Sequence, residues 1–119
     1  MDSVLAAVPL LGAVAAVLLG AVGLLRPLVL AEATGLATTG LHGMSELRAV
    51  FGGNLGSIGL VCLITREPAA FLVGAAAFLG GGVAKLISLG LDRPEPGKVV
   101  PGLILDFVVG AALLAGHAG

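Results

Sequence analysis

Four long apolar runs, separated by short polar segments, make up most of this chain of 119 residues. The runs cover residues 4–25, 49–64, 69–91 and 99–118. A membrane-spanning helix needs about 20 mostly apolar residues, and the second run reaches that length when its helix begins at Ser45, which gives predicted spans 4–25, 45–64, 69–91 and 99–118. The pattern therefore predicts an all-α integral membrane protein, an antiparallel four-helix bundle in which residues 1–119 form a single transmembrane domain.

The first apolar run also resembles a secretory signal peptide in its position, but three features argue against that interpretation. No basic segment precedes the run, its apolar stretch is too long, and no polar mature domain follows it. We therefore expect residues 4–25 to be the first membrane span.

The connections between the spans differ in length and polarity. Residues 65–68 (TREP) predict a tight turn, and residues 92–98 (DRPEPGK) predict a short, stiff, charged loop. Residues 27–44 form a longer and rather apolar first loop. Because irregular backbone is not tolerated in lipid, we expect this loop to lie at the interface or to fold back over the bundle. A short helix is predicted near residues 28–34.

The composition agrees with a lipid environment. Charged residues make up 11% of the chain, hydrophobic residues make up 58%, and the mean hydropathy is +1.16. A soluble domain carries about 25% charged residues. The formal net charge of −1 gives no reason to expect nucleic acid as a partner. The single cysteine, Cys62, excludes an intramolecular disulfide and a Cys/His metal cluster, so we expect no metal and no cofactor.

The distribution of basic residues predicts an orientation. The side that holds loops one and three carries Arg26, Arg48, Arg93 and Lys98, whereas the other side carries Arg66. Basic residues are enriched in cytoplasmic loops of membrane proteins. We therefore expect loops one and three in the cytoplasm and both termini outside.

The second span has two polar strips when it is drawn as a helix with 3.6 residues per turn. One strip contains Arg48, Gly52, Gly56 and Gly59, and its small residues are typical of helix contacts. The neighbouring strip contains Glu46, Gly53 and Ser57, with Asn54 beside it. The opposite side is expected to meet lipid, and it consists of Phe51, Leu55, Ile58 and Cys62.

The third and fourth spans each carry a charged residue on a glycine-containing face. These faces consist of Gly74, Gly81, Lys85, Ser88 and Asp92 in the third span, and of Gly102, Asp106, Gly110 and His117 in the fourth. Lys85 can extend its long stem toward the headgroups, but Asp106 cannot. A carboxylate left in lipid costs about 3 kcal/mol, so Asp106 needs a partner or a proton.

Antiparallel packing would bring the ionisable residues of three spans to one end of the bundle. These residues, with one serine, are Glu46, Arg48, Lys85, Ser88, Asp92 and Asp106. Their charges nearly cancel, as buried charges should. We predict a polar pocket that faces loops one and three. The alternative is that the ion pairs Lys85–Asp106 and Arg48–Glu46 only hold the helices in register.

Two segments carry a resemblance to a known family. SELRAVFGGNLGSIGL (45–60) and GGGVAKLISLGLDRPEP (80–96) resemble small four-helix bacterial membrane proteins of unknown function, loosely DoxX-like. Those proteins carry an acidic residue in helix four, which Asp106 matches. Lys85 stands where arginine is commoner in the family, and Phe51 where tyrosine is common. The resemblance implies the four-helix topology and a polar cluster. The expected location is the bacterial cytoplasmic membrane.

The first function hypothesis is a membrane protein that binds a lipophilic small molecule and transforms it by acid/base chemistry of the isomerase, cyclase or hydrolase type. Glu46, Asp106 and Lys85 are the candidate catalytic residues, with Asp106 as acid and Glu46 as base. The candidate binding residues are Arg48, Asn54, Ser57, Ser88 and Asp92. Membrane lipid and the lipophilic molecule are the expected partners. Whether the protein is an enzyme stays open at this point.

Two alternatives come from other function classes. A small dimeric transporter or channel would be recognised by ion flux or proton-coupled efflux in liposomes. An accessory subunit of another membrane protein would use its glycine faces to pack on that partner. A bundle that exposes many Ala and Gly residues also favours self-association, so a homodimer is expected as one arrangement.

Overall fold

The computed structural model describes residues 2–34, 40–94 and 96–118. The helices are α1 (Asp2–Leu25), α2 (Pro27–Thr34), α3 (Leu41–Leu47), α4 (Leu55–Thr65), α5 (Pro68–Leu91) and α6 (Pro96–Ala118). A π-helical segment, Arg48–Asn54, joins α3 to α4. The described residues contain no β-strand, and the predicted all-α class is confirmed.

Four helical stretches are long and apolar enough to cross a membrane. They are Val4–Leu25, Gly43–Thr65, Pro68–Leu91 and Pro96–His117. The second of these, here called the second span, runs without a break through α3, the π segment and α4. These bounds agree with the four predicted spans to within a few residues.

The helix of the fourth span, α6, begins earlier than predicted. The sequence pattern placed its start at Val99, but α6 begins at Pro96. Proline is favoured at the first helical position because its φ angle suits a helix and no N–H bond is lost there. Pro101 consequently lies in the second turn of α6 and not in the first.

The helices α5 and α6 form an antiparallel hairpin in which glycines face bulky side chains. A Cβ placed on Gly82 would lie 2.9 Å from the Phe107 ring, and one on Gly110 would lie 2.7 Å from Leu79. The same close approach occurs between Gly116 and Phe71. Small residues let the two helices come together at this distance.

Glycines also bring α1 against the second span. A Cβ on Gly20 would lie 2.4 Å from the Gly56 Cα, and one on Gly59 would lie 2.5 Å from the carbonyl oxygen of Ala13. The predicted role of the Gly52, Gly56 and Gly59 strip in helix contact is therefore confirmed.

The core lies where α1, α4, α5 and α6 meet near the turn between α4 and α5. Its buried residues are Ala13, Ala16, Cys62, Phe71, Ala75, Phe78, Val109 and Leu113. Cys62 is 1% exposed, and Leu55 and Ile58 pack against the core. The backbone and Cβ of Phe51 lie against Gly23 of α1, and the residue is half-buried.

The prediction that Phe51, Leu55, Ile58 and Cys62 face lipid is therefore wrong. The second span has two protein neighbours, α1 and α5, and its glycine strip faces only α1. The π segment also changes the number of residues per turn, so a 3.6-residue projection loses its phase across residues 48–54. The exposed side of α4 instead carries Ser57, Leu60, Val61 and Ile64.

The turn between α4 and α5 is tight, as predicted. Arg66 adopts a left-handed conformation with φ 51°, and its N–H donates to the Cys62 carbonyl at 2.9 Å. The Thr65 hydroxyl donates to the Val61 carbonyl at 2.7 Å. The bond from Arg66 satisfies a carbonyl that the end of α4 would otherwise leave free.

Part of the first loop folds back over the bundle. The predicted short helix is present as α2, which contacts α1, α6 and the π segment, and Ala31 is buried. Residues 35–39 of this loop lie outside the described residues.

The second span contacts the α5–α6 hairpin near the turn between α4 and α5, where Ile58 and Cys62 contact Gly74. Beyond this point the π segment packs on α1, whereas α5 packs on α6.

Candidate functional site

An ion pair joins α5 to α6 at membrane depth. The Lys85 Nζ atom lies 2.6 Å from the Asp106 Oδ2 atom, to which it donates a hydrogen bond. Lys85 lies about 9 Å from the end of α5 and Asp106 about 15 Å from the start of α6, at 1.5 Å per residue. The pair predicted from the sequence is therefore formed.

Two glycines make room for this pair. Gly81 precedes Lys85 by four residues, and Gly102 precedes Asp106 by four residues, so each glycine lies one turn from a charged residue. A Cβ on Gly81 would lie 3.2 Å from Asp106 Oδ2, and one on Gly102 would lie 3.0 Å from Lys85 Nζ. The antiparallel register thus sets the charged group of each helix against the bare backbone of the other.

The pair faces the interior side of the hairpin. Asp106 shares a helix face with Val109 and Leu113, which are core residues with 3% and 0% exposure. On α5, Gly81 lies two turns beyond Gly74, which contacts α4. The ion pair therefore lies on the face of the hairpin that also carries core residues, nearer to loop three than they are.

The two charges differ in their access to the surroundings. The Lys85 side chain is 37% exposed, whereas the Asp106 side chain is 15% exposed. An ammonium has three N–H donors, and Asp106 accepts one of them. Lys85 is consequently the half of the pair that retains donors for another molecule.

Ser88 and Asp92 satisfy one another at the end of α5. The Ser88 hydroxyl donates to Asp92 Oδ2 at 2.7 Å, and the Asp92 N–H donates to the Ser88 carbonyl at 2.7 Å. Both predicted binding residues lie on the Lys85 face, but their hydrogen bonds stay within α5. This arrangement caps the C-terminal end of α5.

In the described residues, Arg48 and Glu46 make no hydrogen bond or salt bridge to the Lys85–Asp106 ion pair. Arg48 is exposed, and its Nη1 donates to the Leu24 carbonyl at the end of α1. Glu46 is also exposed and has no hydrogen bond or ion pair within the described part of the chain. The hypothesis of an Arg48–Glu46 ion pair finds no such contact among these residues, so Lys85–Asp106 is the pair around which a site is built.

Asn54 and Ser57 lie together on the exposed side of the second span. The Ser57 hydroxyl donates to the Asn54 carbonyl at 3.1 Å. Beside them an open apolar groove of about 380 Å³ runs between α4 and α5. It is lined by Ser57, Ile58, Val61, Ala69, Ala70, Val73 and Gly74.

No group of three or more His, Cys, Asp or Glu side chains in the described residues is placed to hold a metal ion. His117 is exposed near the end of α6, away from the ion pair.

Sequence reasoning missed two features of this region. One is the π segment, for which the consecutive glycines Gly52 and Gly53 are the only local signal. The other is the reciprocal fit of Gly81 to Asp106 and of Gly102 to Lys85. The repeated spacing of glycine and charge, four residues apart in each helix, is the signal that points to this fit.

No protein-family model, curated protein or solved structure matches this chain. The function must therefore be argued from the arrangement of its own residues.

Proposed function

We propose that this chain is an integral membrane protein that binds a lipophilic small molecule with a polar, electron-rich head group. In this proposal Lys85 contacts the head group and Asp106 positions the ammonium. The observation that carries it is the Lys85 Nζ–Asp106 Oδ2 contact of 2.6 Å at membrane depth, in which Lys85 stays 37% exposed. Ionisable residues at that depth are costly and commonly mark functional sites.

The two halves of the pair differ in what they leave available to another molecule. Lys85 is 37% exposed and keeps N–H donors that Asp106 does not use, whereas Asp106 is 15% exposed. A carbonyl, carboxylate or phosphate oxygen fits these donors, and Lys85 would contact it as a point charge.

The proposed route of entry is sideways from the bilayer, between the π segment and α5, with the apolar tail along the helices. The π segment packs on α1, and α5 packs on α6. The described parts of the second span and of α5 are apolar over most of their length, so this route favours a lipophilic ligand over a water-soluble one.

Acid/base chemistry is the finer part of the proposal. In this proposal the Lys85 ammonium stabilises negative charge that develops on the ligand, and its 2.6 Å hydrogen bond to Asp106 holds it in place. The role of Asp106 as general acid stays a prediction from the sequence. Glu46 makes no bond to the pair in the described residues, so the proposal gives it no catalytic role.

Photolabelling in lipid nanodiscs tests the binding proposal. A fatty acid that carries a diazirine on its acyl chain is the probe, and labelled peptides are identified by mass spectrometry. Lys85→Met is expected to reduce labelling of α5 and α6 about 10-fold or more, since a hydrogen bond to a charged group contributes about 1.5–3 kcal/mol. Lys85→Arg keeps the charge and is expected to retain labelling.

Arg66→Gln is the matched control because Arg66 lies in the turn at the opposite end of α5. Its labelling should equal that of the unaltered chain. Equal labelling of Lys85→Met and Arg66→Gln would overturn the proposal. Sodium carbonate extraction of the membranes tests integral insertion separately, and the chain is expected to stay in the pellet.

A further inference from the structure

The outer side of the second span carries polar groups that the rest of the described chain does not cover. Asn54 and Ser57 are exposed, and the Ser57 hydroxyl donates to the main-chain carbonyl of Asn54 at 3.1 Å. The side-chain amide of Asn54 has no hydrogen-bond partner among the described residues. This amide offers two N–H donors and a carbonyl oxygen.

Asn54 lies midway along the second helical stretch that is long and apolar enough to span a membrane. This stretch runs from Gly43 to Thr65, so Asn54 is 11 positions from either end. Each end is therefore about 16 Å away at 1.5 Å per residue. In the bilayer proposed for this chain, the lipid tails around Asn54 would offer neither donors nor acceptors, and a partner molecule in the bilayer can supply them.

The surface around Asn54 allows another helix to come close. A Cβ on Gly53 would meet nothing within 4 Å, and Ser57 follows four residues later on the same side. The surface continues into the apolar groove between α4 and α5, where Val61 and Val73 line the wall. A helix packed here would meet the Asn54 amide near the middle of the second span and apolar side chains toward the α4–α5 turn.

We propose that this surface binds the same surface of a second copy of the chain, and that the two Asn54 amides hydrogen-bond to each other at the centre of the bilayer. A carboxamide is complementary to itself, because each copy donates one N–H and accepts one on its carbonyl oxygen. A two-fold axis through Asn54 brings identical residues together in this way. The proposal rests on the membrane insertion proposed above but not on the ligand site.

The monomer–dimer equilibrium in lipid vesicles tests the proposal, measured by energy transfer between labelled copies. Asn54→Leu is expected to raise the dissociation constant about 10-fold, as interhelical polar contacts in lipid allow. Asn54→Gln keeps an amide and should associate more tightly than Asn54→Leu.

Two glycine variants separate association from folding. Gly53→Leu places a bulky side chain on the proposed interface, and it should abolish dimers. Gly80→Leu is the matched control on α5, since a Cβ there also meets nothing within 4 Å. Both variants should keep the thermal stability of the unaltered monomer, and Gly80→Leu should keep its dimers.

Cross-linking locates the interface. In a Cys62→Ala background, Ser57→Cys is expected to form a disulfide-linked dimer on mild oxidation. Val108→Cys is the control because it is 61% exposed on α6 and lies near mid-span. A monomer at all protein-to-lipid ratios, or equal cross-linking at both positions, would show the proposal to be wrong. Lys85→Met should leave dimers intact, so a failed ligand site and a failed interface give different results.

Discussion

The backbone of Gly102 on α6 lies directly against the ammonium group of Lys85 on α5. A Cβ added to Gly102 would stand 3.0 Å from the Lys85 Nζ atom. Gly81 has the same relation to Asp106, at 3.2 Å from Oδ2. Each helix therefore presents a glycine to the charged group of the other, and a Cβ at either glycine would crowd the 2.6 Å contact between Lys85 and Asp106.

The first prediction concerns the two halves of this pair. Lys85→Met should lower the free energy of unfolding by roughly 1–3 kcal/mol, less than the loss for a fully buried pair. Asp106→Asn should have a smaller effect, because the long stem of Lys85 can carry its charge toward the helix end, about 9 Å away. Thermal or denaturant unfolding in detergent measures both changes.

The double variant Lys85→Met/Asp106→Asn completes the cycle. Its loss should be smaller than the sum of the single losses, since no unpaired charge remains. Additive losses would mean that the two residues do not interact in the folded chain.

The second prediction concerns the contact of α1 with the second span. Gly20→Ala should lower the free energy of unfolding by about 1–3 kcal/mol, because its Cβ would lie 2.4 Å from the Gly56 Cα and backbone cannot yield. Gly56→Ala should have less effect, since its Cβ would lie 3.4 Å from the Gly20 Cα, an ordinary contact. Equal losses measured by thermal unfolding would contradict this asymmetry between the two helices.

The third prediction concerns the end of α1. The guanidinium of Arg48 donates to the Leu24 carbonyl, one of the last carbonyls of α1 that lack a helical partner. Arg48→Gln should therefore lower stability by about 1 kcal/mol, through loss of a charge-assisted bond at a helix C-terminus. Arg66→Gln, whose side chain makes no such bond in the described residues, is the control for removing one positive charge. The two thermal midpoints decide between these outcomes.

The fourth prediction concerns orientation. Basic residues are more numerous on the side of loops one and three, so we propose that this side faces the cytoplasm. In a Cys62→Ala background, Glu67→Cys should react with a membrane-impermeant maleimide in intact cells. Arg93→Cys should react only after permeabilisation. The reverse labelling pattern would contradict the proposed orientation.

Much of the fold follows from local sequence properties. Runs of about 20 apolar residues satisfy their backbone hydrogen bonds only as helices in lipid, so the four spans and the short turn at residues 65–68 are predicted directly. The helical period also places Lys85 with Gly81, and Asp106 with Gly102, on shared faces. A pairing of these two faces is thus a reasonable expectation from the helical period alone.

Four apolar helices with charges on two of their faces follow from the amino-acid sequence, because length, hydropathy and helical period are local properties. Which faces meet follows only from the packing of the helices in three dimensions. Lipid is as apolar as a protein core, so hydropathy does not distinguish buried Cys62 from exposed Leu60 on the same helix. Helix register and the π segment make that distinction, and they depend on contacts between residues far apart in the chain.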